Sequence, residues 1–286
     1  MLLAAIGVLP PRLWAAESQR IVSLAPSVTE TVFALGLGDR LVGVSVYCDY
    51  PPAAQRIDRV GTFLTPNLEA IVAKHPDVII AVPSPGNQSG VEALRRLGAR
   101  VVLVDPNTLA EIEDAIVTIG RELDHEAAAH ALVDHIETRM AAVRARVADA
   151  PERSVLMVVG QTPLIAVGTG TFQDELIRQA RGINLAAQGG GSWPHLSLEF
   201  VIAAAPAVII DTTMGNEERA GAAAAMAFWS GFPTIPAVRE RRVYGYKAYE
   251  VLRPGPRIDD AFEAIARFVH PERFEPVAPI ETGGPQ

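Results

Sequence analysis

One segment of this chain occurs twice, and the repeat limits the folds that the chain can adopt. Residues 67–81 (NLEAIVAKHPDVIIA) and 197–211 (SLEFVIAAAPAVIID) align without a gap and are identical at seven of fifteen positions. Each copy predicts an N-capping residue, a short helix, a proline that ends the helix and a buried parallel strand. We therefore expect two lobes of related structure, each built around a parallel sheet.

The rest of the chain alternates between strand-like and helix-like patterns. Apolar runs predict strands at residues 21–25, 41–47, 78–82 and 101–104, then at 155–159, 164–167 and 208–211. Ser27 and Glu30 have the spacing of a capping box at the start of the first helix, which Gly36 and Gly38 end. Strands joined by helices predict parallel crossovers in an α/β fold, with ligand sites outside the carboxyl ends of the strands.

Two helical patterns occupy the middle of the chain, at residues 109–123 and 126–148. The second contains no glycine or proline, and its helix would extend over about 35 Å, the width of a domain. We expect this helix, within residues 125–150, to brace two Rossmann-like α/β lobes with central parallel sheets at residues 20–124 and 151–275. Residues 276–286 have no apolar periodicity and predict a flexible tail.

Composition and charge argue against several classes of protein. The 286 residues include 33 acidic and 25 basic side chains, and the net charge of −8 argues against a nucleic-acid partner. Cys48 is the only cysteine, so neither an internal disulfide nor a cysteine cluster for a metal can form. The apolar run within residues 1–19 resembles a secretory signal, and we expect export.

The sequence contains no complete motif of a metal-binding or catalytic site. Histidines recur at steps of five from His125 to His135, and each step turns the side chain by about 140° around a helix, unlike a metal site. Gly168 and Gly170 resemble the start of a dinucleotide fingerprint, but Gln173 replaces its third glycine. The sequence has no Walker loop and no nucleophile elbow. We expect no catalytic residue, no metal and no enzymatic activity.

The repeat places Glu69 and Glu199 at the same point, the second residue of a helix. A carboxylate there complements the helix macrodipole, at about 0.3 to 1 kcal/mol each, which would explain either residue alone. A matched pair on two lobes would also give a two-fold symmetric partner one ionic contact per lobe. Both interpretations stay open at this point.

Four motifs, in one order along the chain, resemble a known family. They are residues 20–30 (RIVSLAPSVTE), 42–52 (VGVSVYCDYPP), 67–69 (NLE) and 192–194 (SWP). Together they resemble the periplasmic cobalamin-binding proteins. These belong to the class of ABC-importer receptors for vitamin B12, siderophores and haem, whose lobes are joined by a helical backbone. The resemblance covers residues 20–274.

The resemblance implies a periplasmic receptor that captures a cobalamin-like corrinoid between its lobes and delivers it to the permease dimer of an ABC importer. It implies that Tyr47, Phe63 and Trp193 lie against the corrin and that Arg253 is a polar contact near the C-terminal side of the cleft. Cobalamin is then a transported ligand, no cofactor is expected, and we expect a monomer.

The same resemblance implies a role for Glu69 and Glu199, because matched carboxylates in this family dock on arginine pockets of the two permease subunits. Two positions that are aromatic in the best-known cobalamin receptor are Val82 and Ile165 here. A second hypothesis is therefore a haem or ferric-siderophore receptor of the same class, with Tyr47 as an axial phenolate for haem iron and Arg253 as the partner of a propionate or carboxylate. A third, from another class, is a nucleotide-dependent enzyme that uses residues 168–170.

Overall fold

The computed structural model describes residues 19–213, 225–246 and 251–275. The signal-like segment, except for its last residue, and the tail predicted at residues 276–286 lie outside the described residues. The helices that lie wholly within these residues are α1 Pro26–Ala34, α2 Leu68–Val72, α3 Gln88–Arg96, α4 Leu109–Glu122, α5 Glu126–Val147, α6 Phe172–Gln179, α7 Leu198–Ala204, α8 Pro236–Arg239 and α9 Ile258–Val269. The strands are β1 Ile21–Ser23, β2 Leu41–Val44, β3 Val78–Ala81, β4 Val101–Leu103, β5 Arg153–Gln161, β6 Leu164–Ala166, β7 Gly182–Asn184, β8 Val208–Asp211 and β9 Val243–Gly245.

The first lobe contains a parallel sheet with the strand order β2-β1-β3-β4. Ile21 of β1 lies opposite Leu41 of β2 on one side and Val78 of β3 on the other. All residues of β1 and β3 are buried, which is typical of a parallel sheet covered on both faces. The chain leaves β1 in one direction for β2 and returns on the other side for β3. This change of direction opens a crevice at the carboxyl ends of the strands.

The sheet of the second lobe is built around β5. β5 pairs in parallel with β7 and with β8, and β8 pairs in parallel with β9. The prediction of parallel crossovers is wrong for β6, which runs antiparallel to β5. Only Thr162 and Pro163 separate these two strands, and a connection this short forms a hairpin because a parallel crossover needs a dozen residues or more. β7 and β9 were not predicted.

Both copies of the repeat form the predicted unit. Asn67 caps α2 and Ser197 caps α7, each accepting a hydrogen bond from the backbone N–H three residues further on, at 3.0 and 3.1 Å. The residue before each proline has left-handed backbone geometry, with φ of 45° at His75 and 48° at Ala205. The buried strands β3 and β8 then follow at matched positions. The two lobes therefore share this local structure.

The capping box predicted at Ser27 and Glu30 is wrong. α1 begins at Pro26, and its N-cap is Ala25, whose side chain makes no capping hydrogen bond. Proline is favoured at the first helical position because its φ is fixed near the helical value. Glu30 lies further inside the helix and is only 4% exposed. Gly36, with φ of 76°, follows the end of the helix as predicted.

The predicted bracing helix is α5, whose 22 residues extend over about 33 Å. It packs against α4 of the first lobe and against α9 of the second. Its buried residues Ile136 and Met140 belong to one continuous core that includes Ile116 of α4 and Phe262 of α9. This confirms the predicted architecture of two α/β lobes joined by one long helix. Across the described ranges, none of the helices combines the length and the apolar character needed to cross a bilayer.

Candidate functional site

A cavity of about 680 Å³ lies between the two lobes. The first lobe contributes residues that follow β4, and the second contributes the end of β5, the first turn of α6, the loop before Pro194 and the segment around Arg253. Principal residues of the wall are Asn107, Val159, Thr171, Gln173, Trp193 and Leu252. The cavity thus lies at the carboxyl ends of strands from both sheets, where α/β proteins bind their ligands.

Hydrogen bonds join the two lobes beside the cavity. The Phe172 N–H donates to the carbonyl of Asn107 at 2.7 Å, and the Leu109 N–H donates to the Glu175 carboxylate at 2.9 Å. The starts of α4 and α6 are therefore held against each other, and the first turn of α6 is fixed at the cavity.

Trp193 lies at the cavity because a glycine-rich loop, which includes Gly190 and Gly191, precedes it and positions it there. Gly190 and Gly191 have φ of 75° and 73°, a region that favours glycine. A Cβ on Gly168 would lie 2.1 Å from the carbonyl oxygen of Gly191, so the two segments approach more closely than any side chain permits. The Gly168 N–H donates to the Ser192 carbonyl at 2.8 Å. Trp193 is 49% exposed on this loop, and its ring is accessible to a ligand.

Tyr47 and Phe63 lie together in the first lobe, and neither lines the cavity described above. Their rings pack edge to face, with centroids 5.8 Å apart. Tyr47 is 51% exposed, and its carbonyl accepts a hydrogen bond from Arg253 at 3.2 Å. The structure thus brings three of the four predicted ligand-binding residues together and places the fourth, Trp193, on the cavity wall. Their contact with a ligand stays a prediction.

Arg253 belongs to an ionic cluster that sequence reasoning missed. Its Nη1 donates to Glu30 at 3.0 Å and to Asp49 at 2.6 Å. Arg257 donates to both carboxylate oxygens of Glu30, at 2.8 and 3.0 Å, and lies 4.0 Å from the centroid of the Tyr50 ring. Burial opposes the charge on Arg253, but hydrogen bonds to Asp49 and Glu30 outweigh it and raise its pKa. The cluster fastens the two lobes together next to the cavity.

The matched carboxylates Glu69 and Glu199 are both exposed, each at the second residue of its helix. Hydrogen bonds from its own backbone N–H and from the Ser197 hydroxyl lower the pKa of Glu199. Glu199 is therefore ionised at neutral pH, as an ionic contact requires.

The cavity wall also includes polar residues that sequence analysis did not select, namely Asn107, Thr171, Gln173 and Ser192. Asn107 follows the carboxyl end of β4, and ligand sites of α/β folds lie at the carboxyl ends of strands. This position was the signal by which the sequence could have identified Asn107. Gln173 was noted only where it interrupts a glycine fingerprint, although it lies in the wall. In the part of the chain that the structure describes, no three or more His, Cys, Asp or Glu side chains are grouped as metal ligands would be.

Comparisons with known proteins identify relatives of this chain. A family model described as periplasmic binding protein matches residues 21–250. The vitamin B12-binding protein of Vibrio cholerae serotype O1 is 31% identical over 253 residues, which cover 88% of this chain and 89% of that protein.

Solved structures give the same result. The crystal structure of the periplasmic vitamin B12-binding protein BtuF of Vibrio cholerae has a TM-score of 0.77 and 30% identity, covering 90% of this chain and 98% of that one. The periplasmic haem-binding protein RhuT from Roseiflexus sp. RS-1 has a TM-score of 0.80 and 27% identity, covering 90% of this chain and 100% of that one. The chain therefore belongs to the periplasmic binding protein family.

Proposed function

We propose that this protein is the substrate-binding protein of an ABC importer, and that it captures a cobalamin-like corrinoid in the cavity between its lobes and delivers it to the permease. The observation that carries the proposal is the cavity itself, about 680 Å³ in volume and walled by both lobes. Its volume lies within the range of roughly 300–1,000 Å³ that is typical of small-molecule sites. Similarity to vitamin B12-binding proteins supports a corrinoid as the ligand.

The chemistry of the wall suits a large flat macrocycle. Such a ligand is held by apolar and aromatic surfaces, with a few polar groups that fix its orientation. The half-exposed ring of Trp193 and the side chains of Val159 and Leu252 supply such a surface. In this proposal Tyr47 and Phe63 contact the corrin beyond the wall of the cavity, and Arg253 is a polar contact at its side. Binding is noncovalent, and no reaction follows.

The division of the chain follows from the same proposal. Residues 20–124 and 151–275 act as the two ligand-binding lobes, and residues 125–150 act as the brace between them. The continuous core through α4, α5 and α9 supports a brace that keeps the lobes close to one orientation, because a wide opening would expose buried apolar surface.

A haem receptor is the second candidate. Two observations favour it, namely the similarity to a periplasmic haem-binding protein and the exposed ring of Tyr47, whose phenolate is of a type that binds haem iron. A ferric siderophore is a metal chelate like haem, and its iron would be transported as part of the ligand.

One titration distinguishes these ligands. The purified protein would be mixed separately with cyanocobalamin, haemin, a ferric siderophore and NAD, and binding followed by absorbance and by calorimetric heat. We expect saturable one-to-one binding of cyanocobalamin. Saturable binding of haemin or the siderophore alone would replace the corrinoid by the second candidate, and binding of NAD alone would end the receptor proposal.

We also propose that Glu69 and Glu199 dock the receptor on the permease dimer. Their matched positions on the two copies of the repeat and the ionised state of Glu199 support this role. Charge reversal of both to lysine is expected to abolish uptake of cyanocobalamin while the dissociation constant of the purified receptor stays unchanged. The matched control reverses Glu126 and Glu152, two exposed carboxylates outside the repeat. Normal uptake with the double variant of Glu69 and Glu199 would show that both carboxylates only complement the dipoles of their helices.

The proposed site of action is the periplasm, where the receptor acts as a monomer. The secretory pattern within residues 1–19 and membership of the periplasmic binding protein family support export. Fractionation of cells and mass spectrometry of the N-terminus should find a shortened chain in the periplasm. A full-length chain retained in the cytoplasm would contradict this part of the proposal.

A further inference from the structure

A buried amide oxygen in a residue of the cavity wall lacks a hydrogen-bond partner. Gln173 is only 2% exposed, and its Oε1 makes no hydrogen bond with any described residue. It is the second residue of α6, whose first turn lines the cavity. Buried polar atoms in native structures are nearly always paired, because an unpaired one loses its hydration without compensation. An unpaired amide oxygen in a residue of this cavity wall therefore points to a partner that a ligand would supply.

Hydrogen bonds within the protein hold the backbone around Gln173. Thr171 caps α6 by accepting a hydrogen bond from the Asp174 N–H at 3.2 Å. The Phe172 N–H is engaged by the carbonyl of Asn107 in the other lobe. The carboxamide can still turn about its last bond, which exchanges the positions of its acceptor oxygen and its donor nitrogen. Gln173 can thus meet a ligand without a movement of the helix.

The wall around Gln173 is uncharged. Its polar members within the described residues are Asn107, Thr171, Gln173 and Ser192, and none of its described side chains carries a formal charge. Arg253, whose neighbours Leu252 and Pro254 line the cavity, has its charge matched by the carboxylates of Glu30 and Asp49. A carboxylate brought into this wall would lose its hydration without gaining a nearby unmatched cation from the described residues, which is costly.

The start of α6 does not compensate for this cost. A helix N-terminus ordinarily attracts anions, but the first turn of α6 already holds Asp174 and Glu175. Asp174 is 3% exposed and accepts hydrogen bonds from Arg178 at 3.1 Å and Asn184 at 2.8 Å, so it is fixed in place. A second anion at this end of the helix would be repelled by the Glu175 carboxylate, while Arg178 already offsets the charge of Asp174. A neutral group that both donates and accepts hydrogen bonds suits the site better.

We infer, on the basis of the proposed function, that Gln173 determines specificity by exchanging hydrogen bonds with a primary amide on the rim of the ligand. A cobalamin carries several primary amides around its corrin, whereas haem carries propionate groups. Once the Gln173 side chain turns toward the ligand, a primary amide donates to Oε1 and accepts from Nε2, and so it satisfies both atoms of the carboxamide. A carboxylate offers no donor and leaves Oε1 unpaired. The cavity therefore selects a macrocycle with an amide rim.

The first test compares two glutamines on the same helix. Gln173→Met keeps the length and volume of the side chain but removes both hydrogen-bonding atoms. Gln179→Met is the matched control, because the Gln179 amide oxygen accepts from Arg144 at 2.9 Å and lies outside the cavity wall. By isothermal titration calorimetry we expect Gln173→Met to weaken cyanocobalamin binding about 3- to 10-fold, the effect of one or two net hydrogen bonds. Gln179→Met should leave the dissociation constant unchanged.

A second test needs no variant and holds even if Gln173→Met fails to fold. The unsubstituted protein is titrated with cyanocobalamin and with its monocarboxylic acids, in each of which one rim amide has been hydrolysed. We expect one acid of the series to bind at least 10-fold more weakly than cyanocobalamin. Equal affinity across the series, or an unchanged dissociation constant for a folded Gln173→Met variant, would overturn the inference while the corrinoid proposal stands. Failure of the unsubstituted protein to bind cyanocobalamin at all would overturn the corrinoid proposal and this inference with it.

Discussion

The ionic cluster between the lobes should stabilise the fold, and the variant Glu30→Gln tests how much it contributes to the free energy of unfolding. Glu30 accepts three hydrogen bonds from Arg253 and Arg257 and is 4% exposed. Glutamine has the same shape and keeps one acceptor oxygen, so the variant removes the charge and leaves the packing of α1 intact. Arg253 then keeps the carboxylate of Asp49 as an ionic partner.

The size of the effect follows from burial. Removal of one partner from a fully buried ion pair costs about 3–5 kcal/mol, because the other charge is left unmatched. The cost is smaller here, since Asp49 still pairs with Arg253 and the Arg257 side chain is 20% exposed beside the Tyr50 ring. We therefore expect Glu30→Gln to lower the free energy of unfolding by about 2–3 kcal/mol.

Urea unfolding followed by circular dichroism measures this loss. The control is Glu126→Gln, because Glu126 pairs with Arg121 at the surface, where their side chains are 46% and 60% exposed. An exposed pair of this kind contributes below about 1 kcal/mol. If Glu30→Gln costs no more than this control, the cluster does not hold the lobes together in the way described.

Three further predictions concern the cavity and the core. Trp193→Ala should weaken cyanocobalamin binding at least 10-fold in a calorimetric titration, because the aromatic surface against the corrin is lost. The melting temperature should change little, because Trp193 is 49% exposed. An unchanged dissociation constant would show that Trp193 is not part of the site. Gly168→Ala should weaken the same binding and lower the melting temperature, since its Cβ would collide with the Gly191 carbonyl; a variant that matches the unsubstituted protein would contradict the close approach. Burial, with the charge of Arg153 added, lowers the pKa of His270, so protonation favours the unfolded chain. The free energy of unfolding should therefore fall as pH decreases below about 6.5, the ordinary pKa of histidine. Urea unfolding at pH 7.5 and 5.5 measures this change, which should be smaller in the variant His270→Leu. An equal change in both proteins would show that His270 is not its cause.

The parts of the fold that local signals determine could be predicted from the sequence. The N-caps Asn67 and Ser197, the apolar runs that form β3 and β8, and the uninterrupted pattern of α5 all depend on residues close together in the chain. Two errors were also local. Pro26 at the first position of α1 places the N-cap at Ala25, and the two-residue connection between β5 and β6 requires a hairpin.

The candidate site was less accessible to sequence reasoning because its contacts are long-range. Glu30 and Arg253 are 223 residues apart, and nothing near either residue indicates that they meet. Glu30 even matched a local capping pattern, which its burial against two arginines overrides. Gln173 became informative only when the structure showed it buried in the cavity wall without a partner. The aromatic residue Trp193 was selected through a family resemblance and not through a physical signal of its own.

A crystal structure of the protein grown with saturating cyanocobalamin would test the proposed function most directly. We expect the corrin in the cavity between the lobes, against the ring of Trp193 and between the residues that follow β4, the end of β5 and the first turn of α6. Corrin density at any other place on the protein, or an empty cavity at saturating ligand, would contradict the proposal that the two lobes hold a corrinoid between them.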